Sequence, residues 1–100
     1  MAVSDTVSGS LTAVGNGYAF QPAPNNPFSV YIYGSFAATA VVQRSFDLGT
    51  TWVTVPKPDL TDASFTAPIN FSAEEPVPGT LWRVRCSAYT SGTISYQFIQ

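Results

Sequence analysis

The stretch Ser45-Phe46-Asp47-Leu48-Gly49-Thr50-Thr51-Trp52 reads as the end of one strand, a tight turn and the start of the next strand. The Asp47 carboxylate accepts hydrogen bonds from amides of its own turn, as Asx-type turns do. Gly49 supplies the positive φ required at the last position of a three-residue hairpin loop. Thr51 and Trp52 resume an extended run, and the indole is large enough to anchor a small core. The segment therefore predicts a β-hairpin.

Working outward, Thr39–Phe46 is expected as a strand with Ala40, Val42, Arg44 and Phe46 on one face and Val41, Gln43 and Ser45 on the other. A short turn at Ala37-Ala38 precedes it. Before that turn, Phe28, Val30, Ile32 and Phe36 alternate with Ser29, Tyr31, Tyr33 and Ser35. Downstream, Thr51–Val55 is stopped by Pro56 and Pro58. Phe65, Ala67, Ile69 and Phe71 alternate within Leu60–Ser72, where Pro68 interrupts the strand or places it at a sheet edge. In Thr80–Tyr89, Trp82, Val84, Cys86 and Ala88 oppose Leu81, Arg83, Arg85 and Ser87. Thr90-Ser91-Gly92 reads as a hairpin loop, and Thr93–Ile99 follows with Ile94, Tyr96 and Phe98 on one face. About seven short strands and no convincing helix predict an all-β antiparallel sandwich, immunoglobulin-like or jelly-roll-like, over residues 28–100.

Residues 1–27 are expected to form an extended N-terminal arm and Pro-rich connection. Val7, Gly9, Leu11 and Ala13 alternate weakly, and Gly15-Asn16-Gly17 marks a turn. Pro22, Pro24 and Pro27 exclude helix and central strand. Leu11, Tyr18 and Phe20 are apolar groups on this arm with little core of their own to join. They are candidate interface residues, and the arm is expected to supply much of the attachment to a partner.

A chain of 100 residues makes one domain. Charged residues are 10% of it, well under the usual quarter, which suits a protein packed against neighbours. Net charge is −2 and the basic residues form no run, so nucleic acid is not an expected partner. No apolar run is long enough to span a membrane, and no secretory leader is expected. Cys86 is the sole cysteine, which excludes an internal disulfide; between Val84 and Ala88 it reads as a small buried hydrophobe.

The sequence offers little for catalysis, and no catalytic, cofactor or metal site is expected. Histidine, the commonest general base, is absent. Glu74 and Glu75 are adjacent, so in an extended segment they point to opposite sides and read as a solvated loop. Asp59 and Asp62 read as a turn, and Asn70-Phe71-Ser72 as a chance glycosylation match. Arg44 shares an apolar face, so it either pairs with Glu74, Glu75 or Asp47 or extends to water. Tyr31 and Tyr33, together with Arg83 and Arg85, are expected to form an outer face of residue types enriched at interfaces.

The spacing of Ser45, Asp47, Gly49, Thr51 and Trp52 resembles the Asp-box hairpin of sialidases and many unrelated β-proteins. That resemblance implies a folding device, not a catalytic one. A broader resemblance is carried by Gly34-Ser35-Phe36, by Gln43-Arg44-Ser45-Phe46-Asp47 with Gly49 and Trp52, by Glu75-Pro76, by Leu81-Trp82-Arg83-Val84 and by Ser91 to Tyr96. Over residues 28–100 the chain is similar to small tailed-phage virion β-proteins. Trp82 stands where that group more often has tyrosine. The likeness implies a non-enzymatic capsid decoration (cement) protein, made in the host cytoplasm and carried on the virion. Its implied partners are the major capsid protein or another virion protein, with homo-oligomers on the particle. The alternative is a carbohydrate-binding module or other accessory component of the tail.

Overall fold

Period-two alternation turns into strand along most of the chain. The computed structural model describes residues 6–55 and 64–100, and no helix occurs among them. The strands are β1 (Thr6–Leu11), β2 (Gly15–Asn16), β3 (Pro27–Tyr33), β4 (Phe36–Ser45), β5 (Val53–Thr54), β6 (Ser64–Phe65), β7 (Ile69–Glu74), β8 (Leu81–Gly92) and β9 (Ile94–Ile99). One antiparallel sheet runs β1-β9-β3-β7; the other runs β2-β8-β4-β5, with β6 also pairing to β4. The two sheets pack face to face as the expected all-β sandwich. Val30, Ile32, Ile94 and Phe98 of the first sheet meet Ala40, Val42, Trp82 and Val84 of the second. Phe20 stacks on Phe98 with ring centroids 5.2 Å apart, and Phe28 meets Trp82 edge-on at 4.8 Å.

The N-terminal segment is not a separate arm from residue 6 onward. β1 pairs with β9 along its whole length, β2 pairs with β8, and Phe20 bridges to Trp82 through two backbone hydrogen bonds of 2.7 and 2.8 Å. The glycines at 9 and 17 have a packing cause. A Cβ at Gly9 would lie 2.5 Å from the Tyr96 hydroxyl, and one at Gly17 would lie 2.6 Å from its ring. Only glycine lets both strands close over this buried tyrosine. The Tyr18 amide then donates to the Tyr96 oxygen at 2.7 Å. Burial pushes the Tyr96 phenol above its ordinary pKa, and that hydrogen bond opposes the shift.

Other boundaries move for local reasons. The turn before β4 lies at Gly34-Ser35, not at Ala37-Ala38, because Gly34 takes a φ of 103°. The register between β4 and β8 shifts twice, with Ser87 and Thr90 as the extra residues on β8. These bulges turn Ala88 outward and bring Tyr89 against the core, and they carry β8 through the expected loop at 90–92. The expected Leu60–Ser72 strand is divided: residues 60–63 lie outside the described residues, β6 joins the second sheet, and β7 joins the first beyond Pro68. Phe65 and Phe71 face each other across that crossing at 5.8 Å.

Candidate contact surfaces

The Ser45–Trp52 turn is held from within. The Ser45 hydroxyl, fully buried, donates to Asp47 Oδ1 at 2.7 Å and accepts from the Gly49 amide at 2.9 Å. Asp47 Oδ1 also accepts from the Thr51 amide at 2.8 Å, and Trp52 Nε1 donates to the Gly49 carbonyl at 2.9 Å. The Thr51 amide and the Ser45 hydroxyl hold the Asp47 carboxyl below its ordinary pKa. Gly49 takes a φ of 94° as expected, and Leu48 beside it takes 61°. A bulky side chain in the left-handed region is uncommon and costs energy, which this ring of hydrogen bonds sustains. Leu48 is 81% exposed at the tip. Trp52 does not anchor the core; its ring lies 4.1 Å under the Arg83 guanidinium on the outer face. The core tryptophan is Trp82.

Beside this turn sits Glu75, whose side chain is wholly buried. It is not the solvated loop residue that its neighbour Glu74 suggests. Glu75 Oε1 accepts from Trp82 Nε1 at 3.0 Å and from Arg44 Nη1 at 3.2 Å; Oε2 accepts from the Val77 amide at 3.1 Å. Arg44 is thus paired at the mouth of the sandwich, its side chain 29% exposed. It also lies 4.8 Å from the Phe46 ring. Phe46 does not continue the buried face of β4: Ser45 turns inward to serve the loop, and Phe46 is displaced outward. Phe46 and Val77 are therefore exposed apolar groups in contact with Arg44 and Glu75 respectively, and Leu48 is a third exposed apolar group at the hairpin tip. Leu48 was legible only as the residue between Asp47 and Gly49, the tip of the hairpin.

The tyrosine and arginine candidates lie on opposite faces of the molecule. Tyr31 and Tyr33 alternate with buried Val30 and Ile32, so they stand on the outer face of the first sheet. Arg83 and Arg85 alternate with buried Trp82, Val84 and Cys86, so they stand on the outer face of the second. Arg83 Nε donates to Gln43 Oε1 at 2.9 Å, and Arg85 Nη1 donates to Asn16 Oδ1 at 2.7 Å. Burial, and then the charge of Arg85, lower the Arg83 pKa. Of the N-terminal candidates, Phe20 is a core residue and unavailable to a partner, and Leu11 is half-buried against the core. Tyr18 is 70% exposed.

Cys86 is buried and free, its thiol donating to the Ala88 carbonyl at 3.4 Å. No group of three or more metal-ligating side chains occurs among the described residues, and no helix among them is long and apolar enough to cross a membrane. No protein-family model, curated protein or solved structure matches this chain.

Proposed function

We propose that this chain is a non-enzymatic structural protein of a phage virion that binds the assembled capsid surface and stabilises it, as decoration or cement proteins do. The observation that carries the reading is Leu48. An 81% exposed leucine is held at a φ of 61° on a turn braced by Ser45 and Asp47. Strain concentrated at an exposed apolar tip suits a rigid knob for insertion into a neighbouring protein. The low charge of the chain and its likeness to small virion β-proteins over residues 28–100 support the same reading.

Purified protein added to preformed shells that lack it should bind in hundreds of copies per particle. Leu48→Asp removes an apolar contact of about 1.5–3 kcal/mol on burial. Occupancy at limiting protein should therefore fall by roughly tenfold or more. Because Leu48 is 81% exposed and aspartate tolerates the left-handed region better than leucine, the melting temperature should not fall. Full decoration by Leu48→Asp, or a handful of wild-type copies per particle, would overturn the reading. The second outcome would favour a tail location, where the exposed Tyr31 and Tyr33 face offers a shallow aromatic platform for a carbohydrate.

A further inference from the structure

The two sheets treat their edges differently. In the second sheet the strands at the margins, β2, β5 and β6, are two residues each. Such short margins offer little to an incoming strand. In the first sheet both margins, β1 and β7, are six residues long. β1 reads Thr-Val-Ser-Gly-Ser-Leu, without charge or proline, and β7 reads Ile-Asn-Phe-Ser-Ala-Glu, with its one charge at the last position. Neither pairs with any described strand on its outward side. Every second residue of such a margin turns its N–H and C=O away from the sheet, and the natural complement of that row is another extended strand.

We propose that the first sheet continues from one copy of this chain into the next, β7 of one molecule lying antiparallel against β1 of its neighbour. Three features single out a second copy as the occupant. The sheet has four antiparallel strands, so its two margins run in opposite directions. A neighbour in the same orientation therefore presents β1 antiparallel to β7, and the ladder carries on without reversal. The margins also match in length. In full overlap Thr6 faces Glu74, Ser8 faces Ser72, and Ser10 faces Asn70 on the polar side. On the inner side Val7 faces Ala73, Gly9 faces Phe71, and Leu11 faces Ile69. A slip of one residue would put the apolar set on the polar face, and a slip of two would leave two residues of each six-residue margin unpaired, so the full-overlap register is favoured.

The pairing also covers groups otherwise left open. Val7, Leu11, Phe71 and Ala73 are only partly buried at the two margins. A Tyr18 ring atom lies 3.2 Å from where a Gly9 Cβ would stand, so this 70% exposed tyrosine sits where the neighbour's Phe71 arrives. The contact is head-to-tail, which closes into a ring when the rotation between copies permits. This inference deepens the assembly reading by naming the protein's own second partner. Its test uses purified full-length protein without shells, so failure of self-pairing and failure of capsid attachment are separately visible.

The experiment mixes a Ser8→Cys variant with a Ser72→Cys variant under mild oxidation, after both are checked for wild-type melting. Cys86 is buried and stays out of the reaction. The expected result is a disulfide-linked pair containing one chain of each kind, since opposed Cβ atoms on antiparallel strands come within bonding reach. Light scattering of the wild-type protein should show mass rising above the monomer with concentration. Ser8→Lys with Ser72→Lys in one chain should return it to monomer, and Ser8→Lys with Ser72→Glu should restore the higher mass. A wild-type monomer at every concentration would overturn the proposal. So would cross-linking of Ser8→Cys to itself, which would mean β1 pairs with β1.

Discussion

Glu75 is the group whose removal should cost this fold most for its size. Its carboxylate is wholly buried and serves three donors: Trp82 Nε1, Arg44 Nη1 and the Val77 amide. Glu75→Ala strands the indole N–H among core residues, at about 1–3 kcal/mol. The Val77 amide is partly buried and adds about 0.5–1.5 kcal/mol. The Arg44 contact is discounted to about 1 kcal/mol, because that side chain is 29% exposed and can turn to water. Together these give about 3–5 kcal/mol, the usual cost of breaking a buried pair by deleting one partner. For a chain of this length that lowers the melting temperature by roughly 15–30 °C.

Glu75→Gln keeps one carbonyl acceptor but points N–H groups at a donor. It should fall between wild type and Glu75→Ala, at about 1–3 kcal/mol. Urea denaturation followed by tryptophan fluorescence measures both. A Glu75→Ala variant within about 1 kcal/mol of wild type would refute the reasoning, because it would mean that water satisfies all three donors once the carboxylate is gone.

Four further outcomes test the fold around this centre. Asp47 titrates below its ordinary value of 3.8 in the folded chain, so its contribution is fully present above that pH and is lost as the pH falls through the lower folded value. Melting curves below about pH 4 should therefore decline less steeply for Asp47→Asn than for wild type; equal slopes would show that the carboxylate does not brace the turn. Gly9→Ala and Gly17→Ala should each cost about 1–3 kcal/mol in denaturation, since either methyl group meets the Tyr96 ring. Thr80 is buried and its hydroxyl has no hydrogen-bond partner, so Thr80→Val should be neutral or stabilising by up to about 1 kcal/mol, and a clear loss of stability would contradict the orphaned hydroxyl. Deleting residues 2–21 removes β1, β2 and Phe20 and should abolish cooperative unfolding; a folded remainder would mean that the core does not need them.

What the sequence disclosed followed from local chemistry. Alternation identified β3, the β4 centre, the first half of β8 and β9, because each has one face buried and one polar. The Ser45–Trp52 turn was legible because its hydrogen bonds close within eight residues. Misreadings arose where a residue answers to something distant in sequence. Phe20 and the glycines at 9 and 17 look like loop until Trp82 and Tyr96 are brought against them. Glu75 looks solvated until Arg44, 31 positions earlier, is laid beside it. The bulges at Ser87 and Thr90 shift the phase of β8 without any glycine or proline to announce them. Tyr31 and Arg83 share a residue-type bias for interfaces, yet β3 belongs to the first sheet and β8 to the second, which places them on opposite faces. The contact candidates that remain have an additional physical reason for their placement. Leu48 is carried in a backbone conformation that leucine disfavours, and β1 and β7 leave two long margins with Glu74 as their one charge on a molecule whose other margins are cut short. The exposed Leu48 side chain and the outward edges of β1 and β7 add no burial within one described chain, whereas in the proposed assembly they would supply a knob and a continuing sheet.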